Sequence, residues 1–414
     1  MSLRAGSCAW DLLFTANCED DVAKSAASLI DRFRTVRART VELCSPLSIE
    51  DQVVQPMADA SPAKWHLAHT TWFFETIVLG EPHPEFNFLF NSYYEAIGPR
   101  VERARRGMLS RPSLDRVHAY RREVDERVIA AFASRDPKLI ELGLHHEQQH
   151  QELILTDLKY TLGTQPVRPA YREDLARSAA RIEQDWRSFD GGVIEIGAVG
   201  GEFSFDNEQP RHRVLVEPFR IATRALANRD VQEFIAAGGY RDSSLWLSDA
   251  WALITAEKWE APLYWRGDEH YTLGGVRAID PDEVASHLSY FEADAIARWR
   301  GARLPTEAEW ELAATQIASE GTFAEDDRFH PGAGAFLGDV WEWTASAYLP
   351  YPGFRPLAGA VGEYNGKFMN GQYVLRGGSC FTPRDHLRLT YRNFFPPHAR
   401  WQMTGARLVA GAKS

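Results

Sequence analysis

The chain has 414 residues, more than one ordinary hydrophobic core accommodates, so two domains are expected. Hydrophobic residues make up 44% and charged residues 25%, the balance of a globular protein with a packed core. A net charge of −11 with no basic stripe excludes nucleic acid or an anionic membrane surface as the main partner, and no apolar run is long enough to span a bilayer.

The first 21 residues carry a short apolar patch that Asp11 interrupts, which does not match a signal peptide. The four cysteines, Cys8, Cys18, Cys44 and Cys380, show no C-x-x-C spacing, so neither a disulfide framework nor a zinc knuckle is expected. Together these features point to a reducing, cytoplasmic setting. Residues 21–43 lack Gly and Pro and carry an apolar stripe through Val22, Leu29, Ile30 and Phe33. A second helix is predicted over 61–79, with Ser61 as cap and Pro62 in the first turn. A third runs over 113–133, placing Leu114, Val117, Val124, Val128 and Phe132 on one side. The fourth starts at Asp136-Pro137 and runs to 162. Four amphipathic helices make a four-helix bundle, expected over residues 1–180. The polar and aromatic connection over 80–112 is long enough to suggest a functional role. From about residue 185 the pattern changes to short apolar alternations and glycine turns, "GGVIEIGAVGG" and "RHRVLVEPFRIA", interrupted by helices in "NRDVQEFIAAGG" and "TEAEWELAATQ". This predicts an irregular α+β domain over 181–414, so the fold class is α plus α+β.

The fourth helix carries His146-Glu147-Gln148-Gln149-His150. Residues i and i+4 share a face, so His146 and His150 can hold one metal ion between them. Leu139, Leu142, His146, Gln149, His150 and Leu153 project as one stripe, read as pointing into the bundle. A third ligand can come from the second helix, where "WHLAHTTWFF" offers His66 and His69; spacing leaves both open. His83, His118 and His145 read as solvated or local capping residues. The H-E-x-x-H form also matches zinc proteases, but "HQELILTDLKY" lacks their downstream H-x-x-G-x-x-H extension. Three neutral imidazoles suit Fe(II), leave open positions, and favour an incoming thiolate because they do not neutralise the ion.

"SPAKWHLAHTTWFFE", "NSYYEAIGPR", "HHEQQHQELILTD", "DNEQPRHRV", "ARLPTEAEWE", "GDVWEWTAS", "YNGKFMNGQYVLRGGSC" and "YRNFFPPHARWQMTGARLV" together resemble the ergothioneine-biosynthesis sulfoxide synthases over nearly the whole chain past residue 50. The resemblance implies a DinB-like four-helix domain followed by a formylglycine-generating-enzyme-like domain of C-type-lectin fold. It implies a non-haem Fe(II), O2-dependent enzyme that joins a thiol to C2 of the imidazole of hercynine (Nα-trimethylhistidine) and yields a sulfoxide. The implied ligands are His69, His146 and His150, with Gln149 touching hercynine. Tyr93 and Tyr94 both fit the tyrosine that serves the iron–oxygen intermediate. Asn393, Phe394, Phe395 and Trp401 would line the hercynine pocket, where aromatic faces suit a quaternary ammonium. Arg100 and Arg103 are candidates for the thiol substrate's carboxylate. The family divides between cysteine and γ-glutamylcysteine as donor, and the "YRNFFPP" form, without an acidic residue beside Asn393, favours cysteine. Asp339 stands where the family commonly has Asn. The related histidine 5-sulfoxide synthases of ovothiol formation usually carry a fused methyltransferase domain, which is not expected here. A formylglycine-generating oxidase needs a reactive cysteine pair, and the second half has only Cys380.

Overall fold

The computed structural model describes residues 11–176 and 183–410, with side chains described from residue 28 onward. Helix α1 spans Asp11–Cys44, α2 Ala63–Phe73, α3 Pro84–Phe90, α4 Leu114–Ala131 and α5 Pro137–Thr164. The long helices α1, α2, α4 and α5 are the four that periodicity predicts. The expected caps divide. Asp136 caps α5, its side chain accepting from Lys138 N at 2.9 Å. Ser61 does not cap α2, which begins at Ala63; the Ser61 backbone N–H donates to Asp157 Oδ2 at 2.8 Å instead. The connection over 80–112 is not one open loop, since it contains α3.

All eleven residues of α2 are buried, so this helix is the axis of the bundle. It continues into a π-helical turn, Phe74–Val78. Helix α5 approaches it closely because residue 143 is glycine: a Cβ there would stand 2.8 Å from the Phe74 ring. The bundle core gathers Phe33 and Val36 of α1, Leu67, Trp72 and Phe73 of α2, Val117, Val124 and Val128 of α4, and Ile140, Leu144 and Ile154 of α5.

The boundary expected near residue 180 lies outside the described residues. Beyond it, Trp186–Phe189, Phe219–Ala222, Val409–Ala410 and Ala302–Arg303 form a four-stranded sheet in that order. A second sheet is ordered Asn393–Phe395, Tyr373–Arg376, Trp341–Ala347, Thr404–Ala406, its last pair parallel. Gly192–Ile196 pairs with His212–Val216, and Glu269–Thr272 is the middle of a three-stranded sheet. Among the described residues no helix is long and apolar enough to cross a membrane. Cys44 and Cys380 are buried free thiols, while Cys8 and Cys18 fall outside the described side chains.

Asp339 adopts a left-handed backbone, φ +57, which Asp and Asn tolerate better than most residues. Its buried carboxylate accepts from the backbone N–H groups of Thr322, Gly332, Gly334 and Ala335 at 2.7–3.1 Å, so it gathers a loop. The departure from Asn therefore supplies a second acceptor oxygen rather than leaving a gap.

Helix α5 also docks onto the C-terminal half. Glu152 accepts from Thr382 Oγ1 at 2.8 Å, Ser379 Oγ at 3.3 Å and Trp341 Nε1. Gln148 donates to Asp385, and Lys159 Nζ lies 2.7 Å from His287 Nε2. The stripe carrying His146, Gln149, His150 and Leu153 faces both ways: His146 and His150 pack on Phe73 and Trp65 of the bundle core, as expected, and Gln149 donates to Tyr391 of the C-terminal half. It lies at the seam between the two halves.

Candidate metal centre and substrate cavity

A cavity of about 420 Å³ opens at that seam. Helices α2 and α5 supply one wall, the 80–112 connection a second, and Asn393–Phe395 with Trp401 a third.

On the first wall, one nitrogen from each of His69, His146 and His150 lies within 4.8 Å of the others, and all three residues are buried. The ring of His69 stacks between Trp65, 4.5 Å away between centroids, and Trp72, at 5.4 Å. Its Nδ1–H donates to Phe90 O at 2.6 Å, which leaves Nε2 as the free donor atom. His150 is oriented from behind. Asp157 Oδ2 can only accept, so His66 Nε2 donates to it at 3.2 Å, and His66 Nδ1 then accepts from His150 Nδ1–H at 2.8 Å. His66 therefore stands behind His150 rather than beside the other two rings. His146 packs on Phe73, and its Nδ1 is buried without a hydrogen-bond partner. Burial holds all three rings neutral, His146 down to about 3 and the other two well below the ordinary range. Neutral imidazoles, a fixed tautomer and an orphaned ring nitrogen fit a three-histidine metal site.

Glu147 faces the opposite way. Its fully buried carboxylate accepts from Arg37 at 2.8 Å, Thr40 at 2.6 Å and Arg121. Burial alone would raise its pKa, but Arg121 and Arg37 together bring it down to about 2. A carboxylate locked between two guanidiniums cannot serve as the general base of a zinc protease, and the motif here is a structural one on that side.

The second wall carries Tyr93, Tyr94, Arg103 and Arg106. Tyr93 Oη accepts from Arg103 at 3.2 Å. Tyr94 is buried against Trp72 and Phe73, and its hydroxyl makes no hydrogen bond among the described residues. Arg100 is not brought to the cavity; it pairs with Glu95 near the surface. Arg106, which sequence reasoning misses inside an arginine run, is buried. Its guanidinium lies 3.4 Å above the Trp65 ring and donates to Ser61 Oγ at 3.0 Å and Ser92 Oγ at 2.9 Å. It has no carboxylate within ion-pair distance among the described residues, and burial pushes its pKa down to about 9. The Nε atoms of Arg103 and Arg106 are both buried and unpartnered. Two arginines on one wall give this side of the cavity a positive charge that suits an anion.

Gln149 lines the cavity and donates to Tyr391 Oη at 2.7 Å. That hydroxyl also meets His386, whose Nδ1 lies 2.8 Å from His145 Nδ1. His145 is thus buried at the seam, neither solvated nor a cap, because the C-terminal half covers it. Asn393, Phe394, Phe395 and Trp401 all line the third wall. Phe394 stacks on Tyr348, and Phe395 meets Trp401 edge-on.

Known proteins supply independent comparisons. Residues 32–154 match the DinB superfamily, and residues 173–336 and 330–412 match the sulfatase-modifying factor enzyme 1-like domain. The chain is 32% identical over 413 residues to the hercynine oxygenase of Mycobacterium tuberculosis (strain ATCC 25618 / H37Rv), covering 90% of this chain and 96% of that one. It is 31% identical over 438 residues to the hercynine oxygenase of Mycolicibacterium thermoresistibile, covering 94% of each. The ergothioneine biosynthesis protein 1 of Schizosaccharomyces pombe is 28% identical over 226 residues, 50% of this chain and 27% of that one.

Proposed function

This chain belongs to the hercynine oxygenase family, and from that premise we propose that it is an oxygenase of ergothioneine formation that couples cysteine to C2 of hercynine and yields the sulfoxide. The observation that carries the reading is the juxtaposition, in one cavity, of three convergent neutral imidazoles, two arginines and an aromatic wall. Ferrous ion held by His69, His146 and His150 would supply oxygen activation and a place for the thiolate sulfur.

The chain's own residues divide the remaining work. Arg106 and Arg103 hold the carboxylate of the amino-acid thiol, and Ser61 and Ser92 keep the Arg106 fork in place. Phe394, Phe395 and Trp401 offer ring faces to the trimethylammonium group, which cannot donate a hydrogen bond and is best held by such faces. Gln149, fixed by Tyr391, is placed to meet the imidazole of hercynine. Of the tyrosine pair we assign the proton donor to Tyr94, which packs on Phe73, itself stacked on His146, whereas Tyr93 packs on Phe368. Burial pushes the Tyr94 pKa above the ordinary phenol value and keeps its proton in place until it is needed.

The preference for cysteine over γ-glutamylcysteine rests on the uncharged Asn393-Phe394-Phe395 segment. The test is an aerobic assay with Fe(II), hercynine and each thiol in turn, read by mass spectrometry. The reading predicts the hercynylcysteine sulfoxide with cysteine as the preferred donor. Absence of any coupled product from the iron-loaded protein would overturn it.

A further inference from the structure

Away from the cavity, three donor side chains from separate stretches of the C-terminal half converge in the interior. His270 lies on the strand Glu269–Thr272, Glu283 follows the strand Gly275–Ala278, and His330 precedes the strand Trp341–Ala347. All three are buried, and one ligand atom from each lies within 4.8 Å of the others. Both rings aim Nε2 at one carboxylate oxygen: His330 stands 3.0 Å and His270 4.0 Å from Glu283 Oε2. None of the three lines the substrate cavity.

We propose that His270, Glu283 and His330 form a second, structural divalent-metal site, best matched to Zn²⁺. Two imidazoles and a carboxylate are a zinc donor set, and the second oxygen of Glu283 can complete four-coordination without an open position. Ligands at about 2.0–2.2 Å in a tetrahedron lie roughly 3.3–3.5 Å apart, so the observed spread closes on an ion with small shifts.

The competing account is that Lys159 neutralises Glu283 with no metal present. Its ammonium, 2.7 Å from His287 Nε2, and Arg277, which donates to Leu175 O at 3.1 Å, are the cations facing the cluster. Lys159 makes no ion pair with Glu283 among the described residues; its ammonium is turned to His287, and it is the two rings that meet the carboxylate. The same three stretches support α5. Tyr271 packs against Gly163, where a Cβ would come within 2.5 Å of its ring, and His287 meets Lys159. An ion here would pin the seat of the helix that carries His146 and His150.

The test uses the full chain, loaded with Zn²⁺, desalted, and measured by mass spectrometry for metal. Wild type should retain two equivalents, His146→Ala/His150→Ala one, and His270→Ala/His330→Ala one. Because the last variant removes core groups and could misfold, the deciding arm adds Glu283→Gln to His146→Ala/His150→Ala, with circular dichroism as the folding check. The parent variant should bind one Co²⁺ with tetrahedral d–d absorption, and the Glu283→Gln version should lose that absorption. The proposal is overturned if His146→Ala/His150→Ala retains no metal, or if Glu283→Gln leaves its metal content and spectrum unchanged.

Discussion

Replacing Glu147 by Gln separates a structural role for this carboxylate from a protease reading of the same five residues. The carboxylate is fully buried and bridges two guanidiniums. In the variant Arg37 keeps Asp125, 2.6 Å from its Nε. Arg121 keeps only hydroxyl and carbonyl acceptors: Thr70, Thr71, Leu67 O and Arg37 O. One buried positive charge is then left without a counter-ion, which costs about 3–5 kcal/mol. Denaturant unfolding of the metal-free protein at neutral pH, followed by tryptophan fluorescence and circular dichroism, should show that loss. Adding Arg121→Met should restore part of it, since the orphaned charge goes too. Iron uptake by the folded fraction should persist, because Glu147 points away from the three rings. A loss below about 0.5 kcal/mol, the scale of a surface substitution, would refute the reasoning. So would intact stability combined with abolished turnover, the behaviour of a general base.

Further substitutions read the cavity. Asp157→Asn disturbs the His66–His150 line that fixes the His150 tautomer and should weaken iron binding about 10–100-fold, measured by anaerobic Fe(II) titration; unchanged affinity contradicts the orienting role. Tyr94→Phe should divert oxygen into oxidation of the thiol itself, while Tyr93→Phe should leave most of the coupled product, both read by mass spectrometry. Equal effects would remove the distinction drawn from the different packing of the two rings. Arg106→Met should raise KM for the thiol by about 30-fold or more, the equivalent of about 2 kcal/mol for a lost buried charge pair, and leave KM for hercynine little changed. Burial holds His287 and His386 well below their ordinary pKa, so only the unfolded chain gains their protons below about pH 6.5. Metal-free stability should therefore fall as pH drops from 6.5, by about 1.4 kcal/mol per pH unit for each ring. His386→Gln should reduce that slope by one proton, and a flat profile between pH 6.5 and 5 would show that these rings titrate normally when folded.

Helices α1, α4 and α5 were legible because each carries a sustained apolar stripe, whereas α2, buried on all sides, was marked by Pro62 at its start. Two helices of the C-terminal half, Ser248–Glu257 and Tyr290–Trp299, were not. The latter spans ten residues, shorter than the window of about 11–18 residues over which an apolar stripe can be counted. His145 reads as a surface residue on a helical projection because the projection cannot include the domain that covers it. Arg106 is hidden for the opposite reason: it sits in "RARRG", a run that reads as solvated, and only its stacking on Trp65 and bonds to two serines show that it is interior. The choice between His66 and His69 depends on which ring reaches across to α5 and which stands behind it. One turn of helix separates them, and sequence spacing carries no information about that.

The central claim is one ferrous centre built from His69, His146 and His150, with His66 supporting it. Ferrous protein treated with nitric oxide under anaerobic conditions gives a ferrous-nitrosyl EPR signal only where the ion has an open position. That signal is expected at one per chain in wild type, lost in His69→Ala, and retained with weaker iron affinity in His66→Ala. Full signal in His69→Ala together with loss in His66→Ala would contradict the claim.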